Sequence, residues 1–129
     1  LDFRGRRILL VEDNELNSEI AVEILKEYGF LVDTAENGAE AVEKVKNSKP
    51  GNYDLVLMDV QMPVMNGYEA TRKIRASGKA DALTVPIVAM TADAFAEDII
   101  EAKKAGMNSH LAKPLNLATL VREIGKQLH

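Results

Sequence analysis

Four apolar runs in this chain each end in a side chain able to do chemistry. Ile8–Val11 is followed by Glu12 and Asp13, and Leu55–Met58 by Asp59. "PIVAM" ends at Thr91, and the short run "SHLA" is followed by Lys113. The carboxylates are hard oxygen donors, suited to a cation such as magnesium, which keeps several waters. A carboxylate can also attack phosphorus, as in aspartyl-phosphate chemistry. Charge then builds on the phosphoryl oxygens and calls for a cationic partner. The Lys113 ammonium is a mobile point charge of that kind, and the Thr91 hydroxyl can donate a hydrogen bond. Ala92, just beyond, is small and leaves room for such a group. Three carboxylates in one place repel and raise one another's pKa unless a cation sits among them. No His or Cys ends these runs, so zinc is a poor fit.

Taken singly, each of these residues has an ordinary explanation. Glu12-Asp13 can favour a helix N-terminus through its dipole. Thr91 can cap a strand end, and a lysine is by default solvated. Asp59 is harder to dismiss, because it ends the most apolar run, "YDLVLMD" at 53–59. The joint pattern requires elements that bring these positions together.

An unbroken apolar run reads as a strand covered on both faces, the mark of a parallel sheet flanked by helices. Such runs begin at Ile8, Leu55 and Ile87. Leu31–Ala35 alternates, as an edge strand does, and 109–114 gives a short fifth strand. Between them lie helical patterns. Asn14 is placed to cap the first helix, whose stripe is Ile20, Ala21, Ile24, Leu25 and Tyr28. Asn37-Gly38 is a turn signal before a short helix on Ala41, Val42 and Val45. Ala70 and Ile74 mark a third helix and Phe95, Ile99 and Ala102 a fourth. Asn116 caps a last one with Leu117, Leu120, Val121, Ile124 and Leu128. The connections suit βαβ crossovers rather than hairpins. The expected fold is a single doubly wound α/β domain of five parallel strands and five helices. Its reactive residues gather at the carboxyl rim of the sheet, where open α/β sheets bind ligands. The Lys113–Pro114 bond has an appreciable chance of being cis, which would aim Lys113. His110 is expected to be packed or half-exposed rather than a metal ligand. Met58, Met62, Met65 and Met90 are expected to pack.

The chain has 129 residues, enough for one domain with a substantial core. Sixteen basic and twenty acidic residues give a net charge of −4, which argues against a sequence-independent grip on nucleic acid. Tryptophan is absent and aromatics are 5%, so base-stacking platforms are not expected. There is no cysteine, which excludes disulfides and thiolate metal sites and suits the cytoplasm. No run is long enough to span a bilayer, and no signal-peptide pattern opens the sequence. Residues 1–6 read as a linker remnant or tail, and Leu1 in place of Met suggests an excised piece.

The segments "ILLVEDN", "DLVLMDVQMPVMNGYEATRKIR", "PIVAMTA" and "LAKP" together resemble the receiver domain of two-component response regulators. The match covers nearly the whole chain, in order and at family spacing. It implies a flavodoxin-like sheet of order 2-1-3-4-5 over residues 1–129, with no output domain. It implies a phosphorelay function, in which Asp59 accepts a phosphoryl group from the phosphohistidine of a histidine kinase or histidine phosphotransfer domain. Glu12, Asp13, Asp59 and the backbone carbonyl of Gln61 would hold Mg2+, with Mn2+ as the alternative ion. Lys113 would pair with the phosphoryl group, and Thr91 would be the switch hydroxyl. The partner switch position, usually Tyr or Phe, is His110 here, which adds a titratable group. Gln61 and Asp93 occupy positions that tune phosphoryl lifetime in the family. The face of the fourth helix, fifth strand and fifth helix would shift on phosphorylation. Such a domain is not an enzyme by itself, though it promotes its own phosphorylation and dephosphorylation. "LDFRGRRILLVEDNELN" and "MTADAF" look most like receivers of hybrid sensor histidine kinases, the cytoplasmic part of a membrane sensor in some cases. No contact with nucleic acid or membrane is expected through this domain.

The rival reading is a magnesium-dependent phosphatase of the haloacid dehalogenase type, which also uses Asp, Thr and Lys on an α/β sheet. Its DxD motif is missing, since the corresponding place reads Asp13-Asn14-Glu15. A nucleotide-binding module ranks last, because neither GxGxxG nor GxxxxGK[ST] occurs. A receiver-like domain used only for docking would need a broken acidic site, and this one is intact.

Overall fold

A computed structural model describes residues 3–92, 96–113 and 115–128. The elements run β1 (Arg7–Val11), α1 (Glu15–Glu27), β2 (Leu31–Ala35), α2 (Gly38–Asn47), β3 (Leu55–Asp59) and α3 (Gly67–Arg75). After a 3-10 turn at Ala80–Leu83 come β4 (Ile87–Thr91), α4 (Ala96–Ala105), β5 (Ser109–Ala112) and α5 (Leu117–Gln127). All strand pairs are parallel, and the sheet order is β2-β1-β3-β4-β5. The expected strands, helices and doubly wound topology are all present. Phe95, Asp93 and Pro114 lie outside the described residues, and with them the expectations for the fourth helix's start, for the lifetime position and for a cis bond.

Side chains alternate across a strand, so each unbroken run feeds two cores. Leu9, Val11, Val56, Met58, Ile87 and Ala89 face α2, α3 and α4, packing on residues such as Val45, Ile74 and Ala102. Ile8, Leu10, Leu55, Leu57, Val88 and Met90 face α1 and α5, against Ala21, Leu25, Leu120 and Ile124. Burying one such side chain contributes about 1.5–3 kcal/mol. Met58 and Met90 belong to these cores, and Met62 and Met65 pack partly against the first.

Four helices start alike. Asn14, Asn37, Asn66 and Asn116 each accept a backbone N–H from three residues on, at 2.9–3.2 Å. Capping of this kind satisfies a donor the helix itself leaves unpaired. Asn37-Gly38, read as a turn, is thus a helix start. Arg75, at the end of α3, donates to the carbonyls of Gly106, Ala82 and Val85 and to the Asn108 side chain. Burial lowers its guanidinium pKa, and these carbonyls hold it in place between α3 and the end of α4.

Two helical stripes and one end differ from expectation. On α1 only Ala21 and Leu25 are buried, while Ile20 is 53% exposed and Tyr28 lies at the surface. On α5 Leu120 and Ile124 are buried, but Leu117 is exposed. Periodicity gives the direction of a helical face, not how far its partner extends over it. The 3-10 turn before β4, only four residues long, carries no periodic apolar signal in the sequence. The polar entry is packed from its third residue. Phe3 is 5% exposed and stacks on Phe30 with ring centroids 4.7 Å apart.

Candidate functional site

The strand registers determine what meets at the rim. Val11 lies beside Met58, so Glu12 and Asp59, the next residues along, come side by side. Asp59 pairs with Met90, and Thr91 with Ala112. The ladder runs one step further, with the Lys113 N–H donating to the Thr91 carbonyl at 2.7 Å. Parity matters as well. Ile8 and Leu10 face α1 and α5, as do Leu55, Leu57 and Leu111. Two steps on from these lie Glu12, Asp59 and Lys113, so strand alternation aims all three to the same side of the sheet.

They meet there. Lys113 Nζ is 3.0 Å from Asp59 Oδ2 and 3.1 Å from Glu12 Oε2. Lys113 is 26% exposed at its side chain and turns inward to the two buried carboxylates rather than out to water. Glu12, Asp13 and Asp59 each place an oxygen within 4.8 Å of the others. Asp13 is the exposed member and opens the cluster to solvent. Gln61 follows on the loop after β3, and its N–H donates to Asp59 Oδ1 at 3.3 Å. Thr91 is buried at the end of β4. His110 is half-buried on β5, beside Ala89, and lies outside the acidic cluster.

Burial is the main influence on Asp59 and pushes its pKa up, to about 7; Glu12 adds to this and Lys113 opposes it. Burial lowers the Lys113 pKa, but Asp59 and then Glu12 outweigh it and hold the ammonium above its usual value. Among the described residues the cluster holds three carboxylates, and one ammonium pairs with two of them, so it is short of positive charge. Hard oxygens at this spacing suit a divalent ion of the magnesium class, which would complete the neutralisation.

The loop after Asp59 is held close. The Gly67 N–H donates to the Val60 carbonyl at 2.9 Å, and a Cβ at Gly67 would lie 2.3 Å from the Asp59 carbonyl oxygen. Within the loop the Met65 N–H donates to the Pro63 carbonyl at 2.7 Å around Val64, whose φ is 69°. Beside the cluster runs a groove of about 390 Å³ between α1 and the segment after β5, with Ile20, Ile24, Met90 and Leu115 on its apolar walls and Glu12 and Lys113 at its polar end. Asn17 also lines it and donates to Glu12. Asn17 ends no apolar run and so carries no strand-end signal; its one signal is a place in the first turn of the helix that directly follows Glu12-Asp13.

The model of the response regulator receiver domain matches residues 8–125. The chain belongs to that family. This receiver is 47% identical over 112 residues to the two-component response regulator ORR41 of Oryza sativa subsp. japonica, covering 85% of this chain and 84% of that one. It is 43% identical over 133 residues to hybrid signal transduction histidine kinase B of Dictyostelium discoideum, covering 95% of this chain but only 7% of the kinase. Among solved structures, the receiver domain of a sensor histidine kinase from Pseudomonas aeruginosa PAO1 superposes with a TM-score of 0.86 at 40% identity, over 96% of this chain and 98% of that one. That structure carries a magnesium ion coordinated in its active-site cleft. The domain is thus a receiver of two-component phosphorelay signalling, and these matches give no support to the haloacid dehalogenase reading. No helix among the described residues is long and apolar enough to cross a membrane.

Proposed function

We propose that Asp59 is the phosphoacceptor of this receiver. An Asp59 carboxylate oxygen attacks the phosphorus of a phosphohistidine on a histidine kinase or histidine phosphotransfer domain. The new P–O bond forms as the P–N bond breaks, and its electron pair stays on the leaving imidazole. Glu12, Asp13, Asp59 and the Gln61 carbonyl hold a divalent ion, Mg2+ with Mn2+ as the alternative, which when bound supplies positive charge to the phosphoryl oxygens. Lys113 supplies a second cation from the side of β5. The Thr91 hydroxyl then donates to a phosphoryl oxygen, and His110 turns inward to fill the space Thr91 leaves. The α4–β5–α5 face follows between two packings. The domain alone is a phosphoacceptor rather than a turnover enzyme, and its place is the cytoplasm.

The observation that supports this reading most is the Lys113 ammonium, 3.0 Å from Asp59 Oδ2 and 101 residues away in sequence from the Glu12 it also holds. The relatives that are receiver segments of hybrid histidine kinases support the choice of partner. A donor domain must approach over the rim, where α1 and α5 begin and Leu16, Ile20 and Leu117 lie exposed. Incubation with magnesium and a small phosphodonor, followed by mass spectrometry, tests the assignment. Wild type is expected to gain one phosphoryl group and Asp59→Asn none. An equal gain in both would refute it.

A further inference from the structure

Asn17 stands in the first turn of α1, and its backbone N–H is taken by Asn14 Oδ1 at 3.0 Å. That bond fixes where its side chain leaves the helix. The side-chain amide donates to Glu12 Oε1 at 3.2 Å. A carboxylate only accepts, so the nitrogen end of the amide is the end that faces Glu12. Lys113 also holds Glu12, at 3.1 Å to Oε2 and 3.5 Å to Oε1. Glu12 itself is 5% exposed, so water is a poor substitute for either donor.

We propose that Asn17 is a positioning residue that keeps the Glu12 carboxylate turned toward the divalent ion, both at rest and when Lys113 is drawn away. The inference rests on the reading of Glu12 as a metal-holding residue. In the resting site one ammonium serves both Asp59 and Glu12. A phosphoryl group on Asp59 brings further anionic oxygens, and Lys113 has only three N–H bonds to share. As Lys113 moves to the phosphoryl group, its hold on Glu12 weakens. A buried carboxylate that loses its partner is costly and turns to find another. The Asn17 amide comes from a different element, the first turn of α1, and does not move with β5. It therefore holds Glu12 in both states, as outer-shell donors do for the ligands of other metal sites.

The test is calorimetric titration of the metal-free protein with magnesium chloride. Asn17→Leu keeps the size of the side chain and removes the donor, and Asn17→Gln keeps the donor on a longer arm. Asn17→Leu is expected to bind Mg2+ about tenfold more weakly than wild type, and Asn17→Gln to recover most of that loss. The capping bond uses the backbone N–H that every variant retains, so each is expected to fold. Metal-free Asn17→Leu is expected to melt somewhat below wild type, because the buried Glu12 loses a donor, and Asn17→Gln to recover most of that difference. Asn17→Ala is read in the same way if the leucine variant fails to fold. Wild-type affinity in Asn17→Leu overturns the role of Asn17 and leaves the Asp59 reading standing. A glutamine variant as weak as the leucine variant overturns that role as well. Absence of Mg2+ binding by wild type overturns the metal-site reading and this inference together.

Discussion

Asp59 carries its charge under opposed influences, and its pH dependence follows from them. Its pKa is pushed up from 3.8 to about 7, chiefly by burial and then by Glu12, against the pull of Lys113. The folded protein then keeps a proton that the unfolded chain releases. By linkage, this group makes stability fall as pH rises between the two values, and the loss is complete above the folded value. Asp59→Asn has no such loss. With a chelator present, urea denaturation is expected to find Asp59→Asn more stable than wild type at about pH 8, with the gap narrowing toward about pH 4. Lys113 divides binding from chemistry. In Lys113→Met the two buried carboxylates lose their shared cation. Titration is expected to show Mg2+ bound at least as tightly as in wild type, since no ammonium competes for the same oxygens. Phosphoryl uptake from a small donor is expected to slow by about 10²-fold, the usual scale for losing a group aimed at developing charge.

At the scale of elements, the rim is built by strand ends that carry short loops under tight steric control. Gly67 opens α3 against the Asp59 carbonyl, where a Cβ would stand 2.3 Å from the oxygen. The obstacle is backbone, so it cannot rotate away. Gly67→Ala is expected to destabilise the fold by about 1–3 kcal/mol, the range for overpacking, and to shift the phosphoacceptor strand end. Equilibrium denaturation together with the rate of phosphoryl uptake checks both effects. The parts of the site carried by strands were legible in the sequence because strand parity has no freedom: Glu12, Asp59 and Lys113 each continue an apolar alternation onto one face. Asn17 was not legible, because a helical polar residue near an acidic pair reads equally well as solvated surface. Nor did the sequence tell that Ile20 and Leu117 stay exposed. Their periodicity matches that of the buried Leu25 and Leu120, and only the extent of the neighbouring element separates them.

For the molecule as a whole, two cores on one sheet make the fold, and the first of the described residues already belongs to one of them. Phe3 joins the core between the sheet and α1 and α5, and the Arg6 carbonyl accepts from the Leu31 N–H at 2.8 Å. Arg4, Arg6 and Arg7 around it made the segment read as a polar tail, because one aromatic among arginines carries no periodic signal. Phe3→Ala is expected to cost about 3 kcal/mol, within the range for emptying a buried aromatic site. A fall in the urea midpoint with an unchanged slope is the expected record, while an unchanged midpoint would mean that the ring does not contribute to the core. The doubly wound topology was readable because unbroken apolar runs occur only where both faces of a strand are covered.

The capped helix starts have a consequence for the protein's chemical lifetime. Asn-Gly pairs are the sequences most prone to deamidation, in which the following backbone nitrogen attacks the asparagine side chain. Here both such nitrogens are engaged: Gly38 N–H with the Met65 carbonyl at 3.2 Å, and Gly67 N–H with the Val60 carbonyl at 2.9 Å. The asparagine oxygens are occupied by Glu40 and Glu69 N–H groups. Folding therefore shields both pairs, and ageing damage at Asn37 and Asn66 should accumulate in proportion to the time the chain spends unfolded.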